Sequence, residues 1–256
     1  AASDVYKRQL LGFLSGCDYL DIVPDNLPTL EMAFNNKSSA ERFLFTCYSF
    51  VPEHGKIGTD PGMDVGDEVW YYSDNSADYS NKTTFWIAKG MQNSNEPLVD
   101  YWNGTQWGKA MFVGIRDCNV FIENIEKVPD LSAYDKETWK AEAKVLKAFY
   151  HFWMMRMYGP IPIIKENIPV SAGEDEVRVV RDKIDDIVTY IVSLIDESVE
   201  YLPLNIQNEA AEMGRITRPA AKAIKAKILA FAASPFFNGN LDLSLIHISE
   251  PTRLRR

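Results

Sequence analysis

The hydrophobic pattern is most regular between residues 136 and 158, KETWKAEAKVLKAFYHFWMMRMY. Trp139, Ala143, Leu146, Tyr150, Trp153 and Met157 recur at spacings of three and four, one stripe of an α-helix. Val145, Phe149, Phe152 and Met155 lie off that stripe, so the helix is packed on more than one side. Charged residues thin out after Lys147, which makes the second half the more deeply buried. Gly159 followed by Pro160 is a helix stop, and the chain leaves as the extended segment PIPII.

Four further helices follow from the same periodicity. Ser38-Ser39-Ala40-Glu41 offers a capping box, with Ser38 as N-cap and Glu41 at the third position. The helix it opens carries Phe43, Leu44, Cys47, Tyr48 and Val51 and ends at Pro52. Thr105 to Val128 repeats Trp107, Met111, Ile115, Cys118, Ile122 and Ile125. Asp182 to Leu202 aligns Ile184, Ile187, Val188, Ile191, Leu194, Ile195 and Leu202, with Pro203 closing it. The last helix follows Thr217-Arg218-Pro219, since proline is tolerated in a first turn. Its alanines permit a neighbouring helix to approach closely. Helices of this length in antiparallel order predict an all-α chain of stacked helical hairpins.

Residues 52–104 break the pattern. A connection this long inside a compact domain is functional or disordered, and this one holds too many aromatics for disorder. The stretch 60–107 contains Trp70, Tyr71, Tyr72, Tyr79, Phe85, Trp86, Tyr101, Trp102 and Trp107, interleaved with Asp60, Asp64, Asp67, Glu68, Asp74, Asn75 and Asp78. A sugar ring has an apolar C–H face and a hydroxyl edge. Aromatic rings cover the first, and Asp, Asn and Tyr hydrogen-bond the second. From composition, Asp67, Trp70, Tyr71, Tyr72, Asn75 and Trp86 are the candidate ligand-binding residues. The opposing reading is that several of these aromatics merely pin the loop to the scaffold. Asp64, Asp67 and Glu68 could in principle supply a glycosidase acid and base, but their spacing carries no such signature. An enzyme is therefore not expected.

The charge balance is −9 with an isoelectric point near 4.9. That disfavours nucleic acid and suits a neutral or cationic ligand. His54, His151 and His247 form no metal-binding pair, the acidic loop lacks the EF-hand pattern, and no Gly-rich phosphate loop is present. No metal or cofactor is expected. His151 reads as a core residue, and Arg156 as favouring the helix dipole. Cys17, Cys47 and Cys118 show no CxxC spacing. Cys17 ends the run LLGFLSGC, which resembles a bacterial lipobox and makes Cys17 the candidate acylated residue.

Two segments, AEAKVLKAFYHFWMMRMYGPIPII and RITRPAAKAIKAKILAFAASPFFNG, resemble hallmark stretches of the SusD/RagB family of outer-membrane nutrient-binding lipoproteins. The resemblance covers about Cys17 to Asn240. It implies TPR-like hairpins stacked as a scaffold, with the aromatic loop as an insertion. It also implies an oligosaccharide ligand, attachment to the outer membrane through the lipid, and docking on a TonB-dependent SusC-like transporter. Relatives that capture peptides, or a scaffold without its own ligand, are the alternatives.

The expected organisation is a non-native leader at 1–9, a signal-peptide remnant with lipobox and linker at 10–28, a SusD-like helical domain at 29–243 that is incomplete at its carboxyl end, and a non-native tail at 244–256. Both terminal stretches resemble translated adapter scars and share no pattern with what they flank.

Overall fold

A computed structural model describes residues 30–53, 55, 60–66, 83–106, 108–169 and 171–237. Five helices carry the fold: α1 (Lys37–Tyr48), α2 (Met111–Asn124), α3 (Ala133–Tyr158), α4 (Ile184–Val199) and α5 (Arg218–Ala232). Single helical turns at Leu30–Ala33, Glu174–Val177 and Glu209–Glu212 decorate the connections. No strand occurs among the described residues, where one isolated antiparallel bridge joins Val99 and Gln106. Helix α3 packs most extensively on α4 and α2, while α1 lies on α2 and α5 on α4. This all-α order of antiparallel neighbours is consistent with TPR-like stacking.

Burial explains why α3 is central. Tyr150, His151, Phe152, Trp153, Met154 and Met155 are consecutive and all buried, so this half of the helix has no solvent face. Its start lies three residues before the expected Lys136, because the Ser132 hydroxyl accepts the Asp135 N–H at 3.0 Å. Gly159 ends it with a positive φ of 72° and donates its N–H to Met155 O at 2.9 Å.

Two further starts differ from the sequence expectation. The cap of α1 is Asn36, not Ser38: its Oδ1 accepts the Ser39 N–H at 2.9 Å. The Lys37 N–H is donated to Asp130 at 2.6 Å. With two first-turn donors already satisfied, Glu41 is not drawn back into a capping box and instead approaches Arg215 at 3.5 Å. Helix α2 begins at Met111 rather than Thr105, because Gly104 (φ 78°) and Gln106 (φ 57°) are left-handed and cannot continue into a right-handed helix. Further along α2, Gly114 permits close approach to α3. A Cβ there would meet Phe50 at 2.9 Å and the Tyr150 ring at 3.1 Å.

Cys47 and Cys118 are free and fully buried where α1 meets α2, as the apolar face of α1 predicts. The Tyr150 hydroxyl donates to Cys47 O, tying α1 to α3. Helix α4 buries the expected Ile184, Ile187, Ile191, Leu194 and Ile195. On α5, only Ala221 and Ile228 are buried. Ala220, Ala223, Ala226 and Ala230 are exposed, so among the described residues most of the alanine stripe has no neighbouring helix on it.

Candidate functional site

The aromatic loop is presented at the C-terminal end of α3, because both of its ends are fastened there. At the entry, Asp60 caps the short helix Pro61–Asp64. One carboxylate oxygen accepts the Gly62 N–H at 2.9 Å and the other the Gly55 N–H at 2.8 Å. Proline at the first helical position and Asp before it is a local start signal. A Cβ on Gly62 would fall 1.6 Å from Arg156 Nη2, so the end of that arginine side chain lies directly against the loop entry. The Arg156 guanidinium lies over the Trp153 ring, 5.1 Å from its centroid. Arg156 therefore lies between the loop entry and α3 as well as sitting in the helix's last turn.

At the exit, Asp100 organises a turn. Its carboxylate accepts the N–H groups of Trp102 (2.9 Å) and Asn103 (3.0 Å), the Asn103 amide (2.9 Å) and the Thr105 hydroxyl (2.9 Å). Burial alone would raise this carboxyl, but the hydrogen bonds outweigh it and hold the group below its ordinary range. The Tyr158 hydroxyl accepts the N–H of Tyr101 at 2.8 Å and of Trp102 at 3.2 Å. The Trp102 ring meets Phe112 and Tyr158 edge-on at 4.9 and 5.5 Å, and the Arg181 guanidinium lies 5.2 Å from its centroid. Tyr101 packs edge-on against Trp153 at 5.5 Å. Burial, then the Asp60 charge, pushes its hydroxyl up to about 12.

Of the residues expected to bind ligand, Trp86 is described. It sits on the short helix Thr83–Ala88 and is 38 % exposed, with the Lys89 ammonium 5.1 Å from its ring centroid. Asp67, Trp70, Tyr71, Tyr72 and Asn75 lie outside the described residues, as do Cys17 and both terminal segments. Tyr101 and Trp102 are pins rather than a platform, in keeping with the opposing reading for part of the cluster. Asp64 is fully buried and Asp60 nearly so. Neither is placed as an exposed acid–base pair. Among the described residues no group of His, Cys, Asp or Glu could hold a metal ion.

His151 is fixed in the core. Its Nδ1 lies 2.8 Å from Lys147 O, and its Nε2 accepts the Ile164 N–H at 3.2 Å, so the proton resides on Nδ1. Burial pushes this imidazole down to about 4. Sequence reasoning missed the close approach of Arg156 to Gly62 and the Asp100 turn. The Asp-Pro-Gly run at 60–62 and the glycines at 104 and 108 were the available signals. A Cβ on Gly108 would come within 1.9 Å of Asp100 O.

Residues 18–229 match the family model SusD-like, described as starch-binding and associating with the outer membrane. The chain belongs to the SusD-like family. A SusD-like protein of Bacteroides ovatus is 31% identical over 99 residues, which is 39% of this chain and 16% of that protein. Among solved structures, the protein named BT4246 is 30% identical with a TM-score of 0.64, covering 80% of this chain and 33% of its own. A SusD-like protein from Bacteroides fragilis shares the fold at 20% identity and a TM-score of 0.61, over 81% of this chain and 38% of its own. The chain thus matches about a third of the length of these solved SusD-like proteins. The family's description is one of binding, not of catalysis. Among the described residues no helix is long and apolar enough to cross a membrane.

Proposed function

We propose that this SusD-like chain captures a glycan at the cell surface through the loop carried on the C-terminal end of α3. The observation that favours this is Trp86. It stands 38 % exposed on the loop, while Tyr101 and Trp102 nearby are spent on anchorage. An exposed indole on an anchored loop suits stacking on the C–H face of a pyranose. In this reading Trp70, Tyr71, Tyr72, Asp67 and Asn75 extend the platform and supply the hydroxyl contacts. Cys17 is the acylated tether to the outer membrane, and the helical face docks on a TonB-dependent SusC-like transporter. The mechanism is capture and hand-over, with no bond made or broken in the ligand and no cofactor. The helical domain would run from about residue 29 to 243, with non-native residues at either end.

Calorimetry against a panel of polysaccharides and peptides tests the reading, with Trp70→Ala and Trp86→Ala alongside wild type. Stacking of one ring contributes on the order of 1 kcal/mol, so each variant is expected to weaken glycan binding by about threefold to tenfold. Unchanged affinity in both would move the site off the loop. A response to peptides alone would replace the glycan with a peptide ligand.

A further inference from the structure

A cavity of about 220 Å³ lies far along α3 from the loop, between the first turns of α3, the connection 203–207 and the start of α5. It is smaller than the usual pocket for a drug-sized molecule and suits one compact ring.

The chemistry of the lining separates into two sets. The charged groups are already satisfied. Glu142, on the floor, accepts two hydrogen bonds from Arg215 and one from Tyr48. Glu212 stands beside Arg215 and accepts the Asn208 N–H. Asp135 is paired with Lys37 at 3.4 Å. Three neutral polar side chains are unengaged: the Tyr134 phenol and the amides of Asn205 and Gln207 make no hydrogen bond among the described residues, and all three are exposed. Tyr134 is 68 % exposed, so its ring is open to a ligand. Ile206 adds a half-buried apolar wall.

We infer that this cavity is a second ligand site, for a single neutral pyranose unit. The charged lining groups already have partners, so the groups left to meet a ligand are neutral. An open phenol ring, an aliphatic wall and two free amides are the complement of a sugar's C–H face and hydroxyl edge. The site shares its ligand class with the loop but none of its residues.

Ligand-observed NMR on the whole chain, with the methyl glycosides of glucose, galactose and mannose as probes, tests this. At least one is expected to bind at millimolar concentration. Tyr134→Ala, and separately the double variant Asn205→Ala/Gln207→Ala, should weaken it about threefold to tenfold. All are measured in the Trp86→Ala background, which removes the loop's contribution to the signal. These rim side chains are exposed, so their removal leaves the fold intact. Absence of binding by all three glycosides, or binding that both rim variants retain, overturns the proposal. Loss of the binding in Trp86→Ala also overturns it and assigns the sugar to the loop.

Discussion

The two ends of α3 are fastened by different physics. Near its N-terminal half the fastening is a buried charge network. Glu142 is almost fully buried and receives Arg215 Nη2 at 2.8 Å, Arg215 Nε at 3.2 Å and the Tyr48 hydroxyl at 2.6 Å. Tyr48 in turn accepts the Ile216 N–H at 2.9 Å. Three distant parts of the chain, α1, α3 and the approach to α5, are thereby fixed to one another. Burial raises the Glu142 carboxyl, while the Arg215 and Tyr48 hydrogen bonds act the other way. At the C-terminal end the fastening consists of local turns and aromatic edges around Asp60, Asp100 and Tyr158. The first arrangement sets the relative position of helices. The second holds a loop to a finished scaffold. Damage to the first should therefore be global, and damage to the second local.

The largest effect is expected from Glu142→Ala. It takes from the Arg215 guanidinium, itself only 10% exposed, its buried hydrogen-bonded partner and leaves only Glu41 at 3.5 Å and Glu212 at 3.9 Å. Breaking a buried pair from one side costs about 3–5 kcal/mol, read by urea unfolding. Replacing both partners with apolar residues, as in Glu142→Leu/Arg215→Met, should recover most of it. A single variant no worse than the double would mean the network is not a buried pair.

Next comes acid. The His151 imidazole is held at about 4 in the fold against an ordinary value of 6.5. Between these values the unfolded chain binds the proton and the folded chain does not, so stability falls as pH drops from 6.5 toward 4. From pH 7 to pH 5 the loss is about 2 kcal/mol. Glu142, raised in the fold, contributes the opposite slope above its unfolded value, so the diagnostic is the difference between wild type and His151→Gln. The variant should lose less stability over this range. Equal slopes would show that the histidine is not a buried neutral group.

At the loop, Asp100→Ala removes four hydrogen bonds to one carboxylate, and a charged acceptor of this kind is worth about 2 kcal/mol. Hydrogen exchange should speed at Trp102 and Asn103 while the amides of α3 and α4 keep their protection. Equal acceleration in both would erase the distinction between the two ends. The smallest effect on stability is expected for Trp86→Ala, within about 0.5 kcal/mol by thermal unfolding, because its ring is on the surface. A large loss there would make Trp86 a pin like Trp102 and remove it from the platform.

Periodicity located the five helices, with the start of α2 six residues out, and identified α3 as central, because burial on all sides leaves an apolar excess that one stripe cannot account for. Boundaries were less legible wherever a distant group intervened. Ser38 and Asn36 are both competent caps by type, and Asp130, far along the chain, takes the Lys37 N–H that helps seat the start at Asn36. The aromatic loop could be recognised by composition, but composition treats every tryptophan alike. Trp102 meets Tyr158, Phe112 and Arg181, whereas Trp86 meets Lys89 and stays 38 % exposed.

Sequence alone determined the all-α class, the order of the hairpins, the core histidine and the family. These are properties of local spacing and of long ordered segments. Tertiary structure alone decided which charges are buried, since Glu142 and Arg215 are 73 residues apart and nothing in either neighbourhood announces the pair. It also decided which loop aromatics are anchors, and where neutral side chains border a cavity. Each of these depends on which groups meet across helices, and side-chain periodicity along one helix carries no record of its neighbours.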